Sequence, residues 1–159
     1  MQQKLFSEAE KYLQQALHII EQRLGPEHPK WAEIIYQFAV LSMQREEYGR
    51  AENFYLRALS IRERVLGPEH PDLAESLAGL ADLYTIQGCY EQSEHLYRRT
   101  LSIREQSLRP DHPDARETRQ HLALLLMARR AREAKRCAGI FLVTSYDHSK
   151  ITPDAQNSA

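Results

Sequence analysis

The chain has 159 residues, of which 42% are hydrophobic and 27% charged, and its formal net charge at pH 7 is −1. These values are typical of a soluble helical protein long enough for one domain. They exclude a protein that is basic throughout, as many nucleic-acid-binding domains are. The longest apolar run, residues 137–143, is too short to span a bilayer.

No catalytic or cofactor site is predicted. The sequence contains none of the motifs G-x-x-x-x-G-K-[ST], G-x-S-x-G and H-E-x-x-H. The two cysteines, Cys89 and Cys137, lack a C-x-x-C spacing, which favours a reducing intracellular compartment without disulfides or a zinc knuckle. The polar N-terminus does not resemble a secretory signal. Together these features predict a cytoplasmic, non-enzymatic protein without cofactor or bound metal.

The sequence repeats with a fixed period. The loop GPEHP at residues 25–29 returns at 67–71 and, as RPDHP, at 109–113, so successive loops are 42 residues apart. Residues 25–66 and 67–108 are identical at about 19 of 42 positions. A constant period of this length indicates stacked supersecondary units instead of one closed globule.

Each unit is predicted to contain two antiparallel helices, which we name first-type and second-type in chain order. The first-type helix begins at the proline after the loop, because proline is favoured at the first helical position. Apolar residues then recur at helical spacing. Gly88 interrupts this pattern in the middle unit, and Tyr90 begins the second-type helix there. Seven helices are predicted in this way, at about residues 6–24, 30–45, 48–65, 71–87, 90–107, 113–129 and 131–144.

The two ends of the chain depart from the complete units. The first helix is of the second type, since Ala9 occupies the position of Ala51, and no first-type helix precedes it in the sequence. We therefore expect either a piece of a longer array or a homodimer, formed through an unpaired face at Phe6, Leu13, Leu17 and Ile20. Residues 137–144 fit a strand or a helix and are interpreted as a closing helix. The predicted units are 1–24 (partial), 25–66, 67–108 and 109–144 (a degenerate cap), followed by a disordered tail at 145–159.

The repeated residues resemble the tetratricopeptide repeat. In the middle unit the matching positions are Leu77, Leu80, Ala81, Tyr84, Gly88, Tyr90, Ser93, Tyr97 and Thr100. The 42-residue length and the loop LGPEHP are similar to a subclass that includes the kinesin light chains and nephrocystin-3-like proteins. The resemblance implies an all-α fold, a right-handed superhelical solenoid of antiparallel helix pairs.

The resemblance further implies a non-catalytic protein–protein interaction scaffold, which binds a peptide or a partner helix in a concave groove lined by first-type helices. The groove residues that it implies are Glu33, Tyr36, Gln37, Val40, Met43, Gln44, Glu75, Gly79, Asp82, Ile86, His121 and Leu124. Kinesin light chains carry paired asparagines on this wall, where this chain has Tyr36-Gln37 and Ala78-Gly79, so a cargo-adaptor role is less favoured. The alternatives are a self-assembling segment and the regulatory or sensor segment of a larger multidomain protein.

Two further patterns have structural interpretations. The repeated His28, His70 and His112 are interpreted as turn residues, because stacked helices lie roughly 8–10 Å apart whereas zinc ligands lie about 2 Å from the ion. The basic residues between 116 and 136 are interpreted as a solvated end cap, because no aromatic residues alternate with them as in base-stacking proteins. No nucleic-acid or membrane-spanning role is predicted.

Overall fold

The segments between the His-Pro loops form helices, as the periodicity predicts. A computed structural model describes residues 2–109 and 111–146 of the chain, with side chains for 3–109 and 111–136. Over these residues it contains no strand and six α-helices: α1 (Gln2–Leu24), α2 (Pro29–Gln44), α3 (Tyr48–Leu66), α4 (Pro71–Ile86), α5 (Tyr90–Ser107) and α6 (Pro113–Tyr146). The all-α fold class is confirmed. The first-type helices are α2, α4 and α6, and the second-type helices are α1, α3 and α5.

The predicted count of seven helices is wrong, because α6 continues through the expected turn near residue 130. In the complete units the corresponding turn contains a residue with positive φ, Glu46 at 59° or Gly88 at 76°. At the same position α6 has Arg130, followed by Ala131, and both residue types are strong helix formers. Residues 137–144 are thus helical without forming a separate element. Residues 145 and 146 end α6, and the remainder of the predicted tail, 147–159, lies outside the described residues.

The chain divides into two compact units, Met1–Leu125 and Leu126–Ala159. The first contains α1 to α5 and the first part of α6, and the second contains the rest of α6. Within the second unit, Arg129 Nε donates to Glu133 Oε1 at 2.9 Å, about one turn further along the helix. The packing and the sites described below belong to the first unit.

Histidine caps the start of every first-type helix. The Nδ1 atoms of His28, His70 and His112 accept a hydrogen bond from the backbone amide two residues later, at 3.2, 3.2 and 3.3 Å. The intervening residue is proline, which has no N–H, so the cap satisfies the first free amide of the helix. Because an imidazole nitrogen accepts only when it carries no proton, each cap requires a neutral histidine with its hydrogen on Nε2.

The hydrophobic core lies between successive helices. The largest buried cluster joins α2, α3, α4 and α5, and it consists of Ala39, Ala51, Tyr55, Leu59, Leu73, Ala74, Leu77, Leu80, Leu83 and Ile103. A smaller cluster joins α4, α5 and α6 through Ala81, Tyr97 and Leu125. The alanines allow neighbouring helices to approach closely, and the larger side chains fill the remaining space.

The sequence predicts an unpaired face on α1, but the structure covers it. Leu13, Leu17 and Ile20 are half-buried and pack against a cluster of α2 and α3, which consists of Trp31, Ala32, Ile35, Phe38, Ala58 and Ile61. Of the four residues of the predicted unpaired face, Leu13, Leu17 and Ile20 thus pack within the chain, and a homodimer through Phe6, Leu13, Leu17 and Ile20 stays a prediction.

An arginine joins each complete unit to the first-type helix of the next. Arg62 Nη1 donates to the backbone oxygen of Asp72 at 2.6 Å and to Ser76 Oγ at 2.8 Å. Forty-two residues later, Arg104 makes the same two bonds with the corresponding groups of α6, at 2.9 and 2.5 Å. Since Arg62 is only 5% exposed, these hydrogen bonds replace those that its guanidinium makes with water in the unfolded chain.

The preceding junction, between α1 and α2, has apolar side chains in place of the arginine and the hydroxyl. The positions equivalent to Arg62 and Ser76 hold Ile20 and Ile34, and both isoleucines pack against the cluster of α2 and α3. The hydrogen-bonded pair and the apolar pair are thus two solutions to the same contact. A mixed pair leaves a buried polar group without a partner, which is the least stable arrangement.

We predict that Arg62→Ile alone lowers the free energy of unfolding by about 1.5–3 kcal/mol, because Ser76 and the Asp72 carbonyl lose a charged donor. The double variant Arg62→Ile/Ser76→Ile, which copies Ile20 and Ile34, should recover most of that loss. Urea denaturation followed by circular dichroism measures both values. Equal losses in the single and the double variant would contradict the proposed equivalence of the two pairs.

Gly79 of α4 lies directly against an aromatic ring. A Cβ atom added at this position would lie 2.6 Å from two carbons of the Tyr55 ring, closer than side-chain atoms approach in folded proteins. Tyr55 is itself buried in the largest cluster, so its ring has little room to move. In α3, by contrast, a Cβ at Gly49 would have no neighbour within 4 Å.

We predict opposite effects for two Gly→Ala substitutions. Alanine is favoured over glycine in a helix by up to about 1 kcal/mol. Gly49→Ala should therefore raise the free energy of unfolding. Gly79→Ala should instead destabilise, because an overpacked core typically loses about 1–3 kcal/mol, more than the gain in helix propensity. Thermal and urea unfolding of the two variants, compared with wild type, tests the sign of each change, and a stabilised Gly79→Ala would show that Tyr55 moves freely.

Candidate functional site

The twelve residues implied as a groove lie on α2, α4 and the part of α6 within the first unit, and none of them is buried. The exposed ones are Glu33, Gln37, Gln44, Glu75, Ile86 and Leu124, and the half-buried ones are Tyr36, Val40, Met43, Gly79, Asp82 and His121. Helices α2 and α4 are in contact with each other, so the residues of these two helices form neighbouring parts of one surface.

An open cleft lies between the first turns of α2 and α4. It has a volume of about 630 Å³ and is lined by Pro29, Lys30, Glu33, Tyr36, Gln37, Arg62, Leu66, Asp72 and Glu75. We name it the α2–α4 cleft. Four of the residues implied by the repeat pattern, Glu33, Tyr36, Gln37 and Glu75, are brought together here. The remaining lining residues come from the second-type helix α3 and from the helix starts.

Tyr36 is held in a fixed position on the wall of this cleft. Its ring centroid lies 5.9 Å from that of Tyr55, and the guanidinium carbon of Arg62 lies 5.3 Å from the Tyr36 centroid. Burial raises the pKa of Tyr36, and the carboxylate of Glu75 raises it further, against the opposing effect of Arg62. The phenol is therefore neutral near pH 7 and offers a hydroxyl as donor or acceptor.

The exposed charge of the α2–α4 cleft is negative. Three carboxylates line it, on Glu33, Asp72 and Glu75, together with the ammonium of Lys30. The guanidinium of Arg62 also belongs to the lining, but it is buried and its Nη1 is bonded to the protein. A ligand in the cleft therefore meets more negative than positive groups, which favours a cationic side chain.

The carboxylate of Asp82, on α4 outside the lining of the α2–α4 cleft, is held in place by two neighbouring helices. The Tyr97 hydroxyl donates to Asp82 Oδ1, and His121 Nδ1 lies 3.5 Å from the same oxygen. The rings of Tyr97 and His121 meet edge to face, with centroids 5.9 Å apart. Burial and the bond to Asp82 raise the pKa of Tyr97, so the phenol remains a donor. Asp82, on α4, is thus fixed from both α5 and α6 while staying partly exposed.

The other side of α2 borders a different cleft. It lies between α1 and α2, has a volume of about 490 Å³, and is lined by Ala9, Tyr12, Leu13, Ala16, Gln37, Val40, Leu41 and Gln44. We name it the α1–α2 cleft. Three implied groove residues, Gln37, Val40 and Gln44, line this apolar cleft, and only Gln37 lines both. Met43 packs against the largest core cluster, and Ile86 and Leu124 line neither cleft.

Sequence reasoning missed the contribution of the second-type helices to this surface. Arg62, Tyr55 and Tyr97 all reach the wall formed by α2, α4 and α6, although the resemblance assigns that wall to first-type helices. A signal was present in the period, because Arg62 recurs as Arg104 at the same spacing as their hydroxyl partners Ser76 and Thr118. Paired recurrence of this kind indicates a contact between neighbouring units.

Among the side chains that the structure describes, those of residues 3–109 and 111–136, no group of three or more histidine, cysteine, aspartate or glutamate side chains is arranged to hold a metal ion. None of the described helices α1 to α6 combines the length and the hydrophobicity that a membrane span requires. The groups that line the two clefts are carboxylates, amides, phenols, one ammonium, one guanidinium and apolar side chains, which bind by hydrogen bonding, charge and contact.

Known structures share the fold. BtubC (BKLC) from P. vanneervenii has a TM-score of 0.72 and 22% identity, over 98% of this chain and 63% of that chain. A putative kinesin light chain of P. anserina with nearly identical TPR-like repeats has a TM-score of 0.70 and 21% identity, over 97% of this chain and 72% of that chain. A glutamine-to-methionine variant of that protein has a TM-score of 0.71 and 23% identity, over 94% of this chain and 71% of that chain. This chain thus spans less than two thirds of the length of BtubC.

Comparison of sequences identifies the family. No curated protein sequence matches the chain at a significant level. A family model described as tetratricopeptide repeat matches residues 31–106 and 79–138, and a second model with the same description matches residues 1–30. Because the first model alone covers more than half of the chain and the fold agrees with it, the chain belongs to the tetratricopeptide-repeat family, and its fold is similar to that of a putative kinesin light chain.

Proposed function

We propose that this protein is a non-catalytic interaction scaffold that binds an extended peptide in the α2–α4 cleft, with a lysine or arginine of the peptide among its carboxylates. The family supports a role in protein interaction in general. Support for the location comes from the α2–α4 cleft itself, where Tyr36 and the carboxylates of Glu33 and Glu75 meet at an open surface. The predicted unit boundaries and a cytoplasmic location belong to the same proposal.

The groups of the cleft suit a basic peptide. The carboxylates of Glu33 and Glu75 accept charged hydrogen bonds from a guanidinium or ammonium. The Tyr36 ring offers a flat apolar surface on which the aliphatic part of such a side chain can lie. Gln37 has both donors and an acceptor for a peptide backbone. Residues 1–108 carry 12 basic against 16 acidic residues, which favours the approach of a cationic ligand.

The expected affinity is modest. An open cleft of this size holds a few peptide side chains, and ordering an extended peptide offsets part of the contact energy. We expect a dissociation constant in the micromolar range, or roughly −8 kcal/mol. Because charge contributes, binding should weaken as the salt concentration rises.

We predict that peptides selected from a random dodecapeptide display library on the wild-type chain are enriched in lysine and arginine. The variant Glu33→Gln/Glu75→Gln should bind the selected peptides about tenfold more weakly or worse, because two charged hydrogen bonds are lost. Isothermal titration calorimetry measures the affinity. Glu21→Gln on α1 is the matched control and should change nothing.

Two experimental results would contradict this prediction. Selected peptides without an excess of basic residues would oppose the charge assignment. Equal affinity of the wild type and the double glutamine variant would oppose the location in the α2–α4 cleft. Both glutamates are exposed, so the variants should fold as the wild type does, and a circular dichroism melt verifies this.

A further inference from the structure

The guanidinium of Arg62 has hydrogen-bond donors that the protein does not use. A guanidinium has five N–H groups, two on each Nη atom and one on Nε. Nη1 makes both bonds of the junction between units, to the backbone oxygen of Asp72 and to Ser76 Oγ. Among the residues that the structure describes, none accepts a hydrogen bond from Arg62 Nη2 or Nε. The junction is thus complete with one nitrogen, and the N–H groups of the other two nitrogens remain.

The unused nitrogens of Arg62 reach the α2–α4 cleft. Arg62 is 5% exposed and belongs to the lining of this cleft. Within the described side chains, Trp31 Nε1 is the only fully enclosed nitrogen or oxygen without a hydrogen-bond partner. Arg62 Nη2 and Nε also lack a partner, so they are not enclosed and belong to the small part of the side chain that borders the cleft. An almost wholly buried arginine therefore presents its unused donors to the cleft.

The protein holds this guanidinium in a fixed orientation. Nη1 is bonded to groups of α4 at 2.6 and 2.8 Å, and the guanidinium carbon lies 5.3 Å from the ring centroid of Tyr36 on α2. The donors are therefore oriented before a ligand binds, and little conformational entropy is lost when a ligand uses them. A hydrogen bond from a charged donor in such a partly enclosed place is stronger than one between neutral groups in water.

The charge of the cleft selects the kind of acceptor. Three carboxylates line it, together with two cations, Lys30 and Arg62. These carboxylates repel an anionic acceptor such as a carboxylate or a phosphate. A main-chain carbonyl oxygen is neutral, and its two lone pairs can accept from Nη2 and Nε together. Every peptide that brings a lysine or arginine to Glu33 and Glu75 also brings such carbonyl groups.

We propose that Arg62 binds a main-chain carbonyl of the peptide through Nη2 and Nε. This role rests on the proposed function and adds a second point of attachment to it, beside the basic side chain at Glu33 and Glu75. Because every residue of a peptide has a carbonyl, the contact selects no sequence. It fixes the position of the main chain relative to the carboxylates. In a cleft of about 630 Å³, the bound carbonyl and the basic side chain belong to the same residue or to neighbouring residues.

Replacement of Arg62 separates this role from an effect of charge. Arg62→Ile/Ser76→Ile, which copies Ile20 and Ile34 of the preceding junction, removes one positive charge from the cleft. If charge alone governed binding, the basic dodecapeptides selected on the wild type would bind this variant more tightly. We expect them to bind about tenfold more weakly or worse in isothermal titration calorimetry, because a charged hydrogen bond is lost. Arg98→Gln, on the exposed surface of α5, is the control for charge and should leave the affinity unchanged.

Thioamide peptides identify the carbonyl that is bound. In each of them, one carbonyl oxygen of a selected peptide is replaced by sulfur, which is a weaker acceptor. At one position this replacement should weaken binding to the wild type but have no effect on binding to Arg62→Ile/Ser76→Ile. Arg62→Lys gives a second comparison that keeps the charge. Its single nitrogen cannot replace Nη2 and Nε while bonded to Ser76, so the same thioamide should lose its effect there too. Circular dichroism melts verify that the variants are folded.

Two results would overturn the role of Arg62. The first is binding to Arg62→Ile/Ser76→Ile that is as tight as in the wild type or tighter. The second is a thioamide series in which no position loses its effect in either Arg62 variant. The charge assignment of the proposed function fails separately, if Glu33→Gln/Glu75→Gln binds as the wild type does, and a loss of affinity in Arg62→Ile/Ser76→Ile would then still support the carbonyl contact. A display selection that yields no binding peptide would contradict both.

Discussion

Each helix of this fold depends on neighbours that cover its apolar face. Isolated helices of this length are marginal in water, and the largest buried cluster draws residues from four successive helices. Alanines at the crossing points set how closely the helices approach, and one ring, that of Tyr55, fills the space against Gly79. The contacts between helices therefore repeat together with the sequence, and each unit contributes apolar surface that stabilises its neighbour.

The junction between units shows how one contact accepts different chemistry. A guanidinium with a hydroxyl and a carbonyl forms it twice, at Arg62 and Arg104, and two isoleucines form it once. Both versions leave no polar group unsatisfied, which is the condition that buried contacts must meet. The polar version also orients Arg62 over the Tyr36 ring. In this way a structural contact between units also shapes the wall of the α2–α4 cleft.

The sequence predicted the elements better than the contacts. Proline and histidine at a fixed period located the starts of α2, α4 and α6, because these residues have a local role in starting a helix. The prediction of a turn near residue 130 was wrong, because it assumed that the last segment follows the pattern of the complete units. The residues of that segment themselves favour a helix. The implied groove residues lie on α2, α4 and α6, and their role in binding stays a prediction. The two clefts, however, depend on which face of α2 meets α1 and which meets α4, and helical spacing alone does not contain that information.

The three histidine caps differ in the charge that lies beside them. The start of a helix carries partial positive charge, so a carboxylate there is favourable and an ammonium is not. At α4 and α6 a carboxylate lies beside the cap, with Asp72 Oδ2 3.8 Å from His70 Nδ1 and Asp114 Oδ1 3.6 Å from His112 Nδ1. The corresponding residue beside His28 is Lys30. Of the three first-type helices, α2 therefore has the least electrostatic support at its start, the part that brings Lys30 and Glu33 to the α2–α4 cleft.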